Sequence, residues 1–317
     1  MTEGRRWPKL LLGWLAGIGT AASAYYLFTA AAVSGESGTV TLTFLLLVPA
    51  VACAIAAFLS DSGEASLAHH LLTPFAMLAV IIIASVILLG EGIICILMLA
   101  PLWIVGGVAG SLLAYAMKKR LRQRGKLFAS SALLVPLLAA QVEASLPVPE
   151  RWETVSREVL IDAPPEAVWP LLVSIPEIRP DEGRWNVTQD LLGIARPTEA
   201  RLDGAVRRAR WGEDIRFEER VVAAVPGQSL SWTFAFPDQS VRLHTDRHIA
   251  PDGAHLQIAR GSYSLAAAPG ERTRVRLDTS YRLRTPLNAY AAWWGERFLG
   301  DIQSNVLAIV KARAEGS

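Results

Sequence analysis

The residues best suited to do chemistry are His244-Thr245-Asp246-Arg247-His248. On a strand, alternation puts His244, Asp246 and His248 on one face, as an acid/base pair or a metal site requires. The opposite face, with Leu243, Thr245, Arg247 and Ile249, is not cleanly apolar. A polar ladder on the solvent side or at a pocket rim therefore explains the same pattern, and without a distant third ligand no metal is expected. Arg210-Trp211 and Arg216-Phe217-Glu218-Glu219-Arg220 form the second candidate. Arg216, Glu218 and Arg220 share a face and suit a cross-strand ion-pair ladder. In the functional alternative, Arg210 or Glu218 points into a cavity and holds a polar head group, while Trp211 and Phe217 pack. Trp232, Phe234 and Phe236 fall on one side of a strand, Tyr263 lies on another, and Trp293, Trp294 and Phe298 occupy a C-terminal helix. Such aromatics are core, ligand wall, or both. The chain contains no G-x-S-x-G elbow, phosphate loop or paired metal motif, and no cofactor is expected.

The elements that must position these residues follow from the pattern around them. Val155–Ile161 alternates as a strand, and Asp162-Ala163-Pro164-Pro165 stops it, with Asp162 as a cap and Glu166 at the positive end of a helix. Val168, Trp169, Leu171, Leu172 and Ile175 then give a helix an apolar face up to Pro176. Between Glu143 and Glu153, Pro147 and Pro149 interrupt a stretch without periodicity, which reads as a linker. From Ile194 onward the expected strands are Ala200–Leu202, Ala205–Trp211, Asp214–Val225, Ser229–Phe236, Ser240–Ile249, His255–Leu265 and Arg272–Leu283. Asp203-Gly204, Pro226-Gly227 and Pro269-Gly270 are among the hairpin turns that separate them. An antiparallel meander of this kind needs a cover. Thr285–Ala314 supplies it, with Leu287, Tyr290, Trp294, Phe298, Ile302, Val306 and Ile309 recurring as one stripe.

A strand running through Ala163-Pro164 into a short helix carrying Val168-Trp169, then many strands and one long helix, resembles the START-like helix-grip (SRPBCC) superfamily. That group includes allergen-type ligand carriers, lipid-transfer domains, aromatic polyketide cyclases and coenzyme Q-binding proteins. The resemblance covers roughly Val155 to Ala314. It implies an α+β domain in which a curved sheet grips the last helix, with a cavity between them for a lipid or an aromatic molecule. Arg210, Trp211, Glu218, Trp232, Phe234, Tyr263, Trp294 and Phe298 are the expected ligand contacts.

The first 142 residues have a different composition. Residues 10 to 117 contain no Lys or Arg, and nine basic residues flank them at Arg5, Arg6, Lys9 and between Lys118 and Lys126. With five acidic residues this part carries +4, and the remainder, with 22 basic and 24 acidic, carries −2. No folded basic face is implied, so a nucleic-acid partner is not expected. Leu10–Val33, Val40–Leu59, Leu71–Leu89 and Ile93–Met117 each reach the roughly 20 apolar residues that cross a bilayer. Leu127–Val142 is shorter and contains Pro136. Both basic clusters belong in the cytoplasm, which four crossings satisfy. If Leu127–Val142 also crosses, the C-terminal domain faces outside, in a bacterium the periplasm; if it lies flat, the domain is cytoplasmic. The flank asymmetry favours crossing. Residues 1–24 also fit a signal peptide ending in Ala22-Ser23-Ala24, but the apolar run continues to Val33 and favours a retained helix. Cys53 and Cys95 sit inside apolar runs and read as packing residues. Glu91 and His69-His70 read as loop residues.

The expected organisation is thus a transmembrane region at 1–142, a linker at 143–153 and a helix-grip domain at 154–317. Three functions remain open. One is a membrane-anchored binding module for a hydrophobic or lipid-like ligand. The others are a polyketide cyclase-like enzyme using His244, Asp246 or His248, and a ligand-sensing interaction protein.

Overall fold

The computed structural model describes residues 6–33, 40–60, 66–89, 93–120, 125–245 and 250–316. The chain divides into two compact units, Met1–Val148 and Pro149–Ser317.

The charge-free runs of the first unit fold as helices, since a helix satisfies its own backbone in an apolar setting. They are α1 (Arg6–Val33), α2 (Val48–Ser60), α3 (Leu67–Ala84), α4 (Ile93–Arg120) and α5 (Gly125–Ala144). A π-helical turn, Thr43–Leu47, leads into α2, and another, Ser85–Leu89, extends α3. Four stretches, Trp7–Ala30, Thr43–Ser60, Leu67–Ile87 and Ile93–Arg120, are long and apolar enough to cross a membrane. Small residues set the spacing between helices. Gly13 and Gly17 of α1 lie against Ser60, Ala56 and Ala52 of α2, and a side chain on Gly106 or Gly110 of α4 would collide with the backbone of Leu46 or Ala50. Met77 and Trp103 close the core around Ala52, Cys53 and Ala56.

Two details of this unit differ from expectation. His69-His70 forms the first turn of α3 rather than a loop, because Ser66 caps that helix. His69 Nε2 lies 2.7 Å from Ser60 Oγ, and buried His70 has Nδ1 2.9 Å from the Ser66 carbonyl. Glu91 lies outside the described residues. The fifth apolar run forms a continuous helix despite Pro136. Near its end the Glu143 carboxylate accepts the backbone N–H groups of Leu42 and Thr43, 2.5 and 2.8 Å away. These amides open a helical segment and have no partner within it, so an anion there is favourable.

The second unit is a seven-stranded antiparallel sheet in the order β1-β7-β6-β5-β4-β3-β2. Its strands are β1 (Glu150–Ile161), β2 (Pro197–Asp203), β3 (Val206–Trp211), β4 (Ile215–Val225), β5 (Ser229–Ala235), β6 (Leu256–Ala268) and β7 (Arg272–Arg284). Helix α6 (Pro165–Val173) follows β1, the turn α7 (Ser240–Leu243) follows β5, and α8 (Asn288–Glu315) ends the unit. Sheet and helix together make the helix-grip arrangement. The register gathers the starts of β1, β2, β4 and β6 with the ends of β3, β5 and β7 at one end of the sheet.

Several boundaries move from their expected places. Strand β1 begins at Glu150, because pairing with Arg284 on β7 extends it through four residues that read as linker. Ser240–Ile249 is not a strand in its described part: Ser240–Leu243 is a helical turn and 246–249 lie outside the described residues. Helix α6 is preceded by Pro164 and not capped by Asp162, whose amide instead donates to Glu315 over 2.8 Å. Thr285 likewise lies before α8, with its N–H and hydroxyl donating to Asn288 Oδ1. Asn288 Nδ2 in turn donates to the Pro149 carbonyl over 2.8 Å.

Ile161, Val168, Leu172, Leu230, Val275, Leu277, Leu307, Ile309 and Val310 form the core between sheet and helices. Buried amides on α8 add directional bonds. Gln303 Nε2 donates to the Val155 carbonyl (3.0 Å) and Thr279 Oγ1 (2.9 Å), and Asn305 Nδ2 donates to Gln189 Oε1 (2.8 Å). At the helix C-terminus Arg313 donates to Glu182 (2.7 and 2.9 Å), and Lys311 pairs with Glu315 at 2.7 Å. The Arg313 hydrogen bond holds the Glu182 carboxyl below its ordinary value, and the Asp162 amide, helped by Lys311, does the same for Glu315. Folded values below unfolded ones mean that this stability is present above the ordinary glutamate value of 4.5 and is lost as pH falls through the lowered values. Acidification below about pH 4.5 is therefore expected to release the last turns of α8 first. Protection factors at residues 306–315, taken relative to the intrinsic exchange rate at each pH, that are as large at pH 3 as at pH 7 would contradict this.

Candidate functional site

Alternation on β3 and β4 decides which side chains face α8. Ala209 and Trp211 point inward with Phe217 and Ile215 opposite them, so Arg207 and Glu219, two positions away on each strand, point inward too. Both are almost fully buried, at 5% and 7% exposure, and the Arg207 guanidinium donates to Glu219 Oε2. Tyr263, from β6 and 3% exposed, lies beside Arg207. The guanidinium carbon also lies 5.7 Å from the Trp232 ring centre and 6.0 Å from that of Tyr263, a cation–π arrangement.

Burial discourages charge on Arg207, but the Glu219 carboxylate outweighs it and holds the guanidinium above its ordinary value. Burial pushes both the Glu219 carboxyl and the Tyr263 hydroxyl up, with Arg207 opposing each shift. The result is an ion pair with no net charge and a phenol beside it, all in a low-dielectric interior. Two donors here, Arg207 Nε and Trp232 Nε1, are buried without a hydrogen-bond partner. A buried donor left unsatisfied costs about 1–3 kcal/mol.

Aromatic rings extend from the pair along the inner face. Trp232 lies 5.2 Å from Tyr263 and 6.1 Å from Phe234; Phe217 lies 5.6 Å from Trp211, 6.0 Å from Phe234 and 6.1 Å from Phe236. Gly261 on β6 makes this possible, because any side chain there would overlap the Trp232 indole. Trp294 and Phe298 stack on α8 with centres 5.3 Å apart. A cleft of about 170 Å³ runs between α8 and the edge strand, lined by Ile309, Asn305, Pro197, Thr198 and Arg196.

The structure thus brings together Trp211, Trp232, Phe234 and Tyr263, and places Trp294 and Phe298 on the gripped helix. Arg210 and Glu218 do not point inward. Their neighbours Ala209, Trp211, Phe217 and Glu219 take the inner positions, so both lie on the outer face, beside a shallow concavity of about 540 Å³. On that face Arg220 meets Glu218 at 3.2 Å and Arg210 meets Glu199 at 3.3 Å, exposed pairs of small energetic weight. His244 is exposed at the end of the helical turn, with Nδ1 2.8 Å from the Ser240 carbonyl and Nε2 3.6 Å from Asp214. The alternation argument does not apply to it, and Asp246 and His248 lie outside the described residues. Among the described residues no group of three His, Cys, Asp or Glu side chains could hold a metal. Arg207 and Glu219 were recognisable only as charged residues at two-residue spacing from Ala209, Trp211 and Phe217.

No protein-family model matches the chain, and no curated protein does. Solved structures align with about half of it. The Zhui aromatase/cyclase from Streptomyces sp. R1128 is 15% identical with a TM-score of 0.32, covering 51% of this chain and 94% of its own. Truncated norcoclaurine synthase from Thalictrum flavum is 10% identical with a TM-score of 0.33, covering 53% and 96%. A protein from Chromobacterium violaceum is 17% identical with a TM-score of 0.29, covering 51% and 96%.

Removing one partner of the buried pair strands the other. Glu219→Gln is expected to cost about 3–5 kcal/mol, whereas the double replacement Arg207→Met with Glu219→Leu should be near neutral or stabilising. In thermal unfolding followed by tryptophan emission, the single variant should melt on the order of 10 °C lower and the double variant close to wild type. Equal melting of the single variant and wild type would mean the pair is not buried in solution.

Proposed function

We propose that this protein is a membrane-anchored binding protein whose helix-grip unit holds an apolar molecule carrying one neutral acceptor, a hydroxyl or carbonyl oxygen. The observation that carries this reading is the Arg207–Glu219 pair with two unpartnered donors, Arg207 Nε and Trp232 Nε1, at the end of an aromatic wall. Because the pair is internally neutral, a ligand bearing full charge would bring an uncompensated charge into the interior. A hydroxyl or carbonyl meets the donors at no such cost, and the rings accommodate the hydrocarbon remainder. Native mass spectrometry and solvent extraction of the full chain should find one such molecule per protein, lost from the Arg207→Met, Glu219→Leu double variant. Equal retention by both proteins, or none by either, would refute this reading.

The raised Glu219 carboxyl beside Tyr263 favours a second reading, a cyclase-like enzyme in which these two groups move protons on a bound polyfunctional substrate. Recovery of a chemically altered form of the added ligand would distinguish it from simple binding.

The helical packing supports a location as well. Gly13 near the start of α1 meets Ser60 at the end of α2, and Lys118 near the end of α4 lies over Phe58 of α2, so the basic flanks share one end of this unit. Glu143, near the end of α5, meets the opposite end of the same stretch, at Leu42 and Thr43. At 1.5 Å per residue, the 20 residues of α5 span about 30 Å. With the basic flanks in the cytoplasm, α5 is a fifth crossing and the second unit faces the other side, in a bacterium the periplasm. A C-terminal alkaline phosphatase fusion should be active and a C-terminal green fluorescent protein fusion dark; the reverse would place the unit in the cytoplasm.

A further inference from the structure

The two ends of the sheet differ in what they expose. One end carries the turns at 162–164, 203–205, 226–228 and 269–271, which contain no aromatic residue. The other carries the start of β1, the long β5–β6 connection and the start of α8. Here Leu243 is 77% exposed, Trp152 57% and Trp293 47%, and the Arg297 guanidinium stacks 3.3 Å above the Trp293 ring. An exposed tryptophan–arginine pair, with exposed apolar side chains at the same end, has the composition of a bilayer interface, where indole and guanidinium groups meet lipid head groups.

Chain connectivity selects the same end. Helix α5 stops at Ala144 and the second unit begins at Pro149. The four residues between them, five Cα-to-Cα steps, reach at most about 18 Å. Asn288 bonds the Pro149 carbonyl, so the start of α8 is fastened to the point where the chain enters, and Trp293 lies about 7.5 Å further along the helix axis. The register places Leu243 at this end too, since Ser240 Oγ bonds the Arg216 amide (2.9 Å) and carbonyl (3.0 Å) at the beginning of β4.

We infer that this end of the sheet is a docking surface for the phospholipid bilayer, with Leu243 and Trp293 inserted at head-group depth. The inference rests on the membrane-anchored reading above. Its consequence is that the turn Ser240–Leu243 and the start of α8 border lipid.

The test uses the full chain with Cys53 and Cys95 replaced by Ala, in nanodiscs of phosphatidylcholine and phosphatidylglycerol bearing brominated acyl chains near the glycerol. Single cysteines carrying an environment-sensitive fluorophore are placed at Leu243, Trp293, exposed Val222 on the mid-strand of β4, and Leu15 on the exposed side of α1. Variants that retain the parent melting profile are compared. Leu15 should be strongly quenched, and 243 and 293 should be quenched about threefold or more relative to 222, as interfacial residues are. Quenching at 243 and 293 no greater than at 222, with Leu15 quenched, overturns the docking surface and leaves the anchor intact. An unquenched Leu15 overturns the anchored reading and the docking surface with it.

Discussion

The second unit depends on how the sheet holds α8. Apolar packing alone is non-directional and would let the helix rotate or slide by a fraction of a turn. Three side-chain amides prevent this. Asn288, Gln303 and Asn305 are all buried and bond respectively to Pro149, to Val155 with Thr279, and to Gln189. They tie the helix at its start and along its second half to β1, β7 and the segment before β2. Every ring that the helix presents inward takes its direction from these bonds. A helix held by Leu and Ile alone would bury as much surface and define its azimuth less well.

Against that fixed helix the inner face of the sheet accepts an expensive feature. A buried ion pair is weak evidence for stability, since desolvation of both partners offsets their attraction. Here it occupies positions where Ala209, Phe217 and Leu230 show that an apolar residue would fit the pattern. It lies among Trp232, Phe234 and Tyr263 rather than at the rim. The glycine at 261 lets the Trp232 indole lie flat on the neighbouring strand.

Much of this architecture was legible in the residues. The antiparallel meander, the terminal helix and the four long apolar helices follow from period-two runs, turn dipeptides and charge-free stretches, which report local structure directly. The failures have physical causes. Glu150–Glu153 looks unstructured because its strand character comes from a partner far along the chain. Ser240–Ile249 alternates well enough to pass for a strand, yet Ser240 bonds back to Arg216 and Ser240–Leu243 closes into a helical turn. The inner face was legible in its aromatics but not in its charges, since Arg207 and Glu219 belong to the inner parity and Arg210 and Glu218 to the outer. A one-residue shift on a strand exchanges the two faces.

The pairing of β1 with β7 also bears on how the unit is made. Its partners are 112 to 134 residues apart in the sequence, from Ile161 with Thr273 to Glu150 with Arg284. The first strand synthesised therefore waits without any strand partner until nearly the whole unit has emerged. Topologies dominated by such distant contacts fold slowly. During that interval the nascent unit carries open strand edges, the state most exposed to aggregation and most in need of a chaperone.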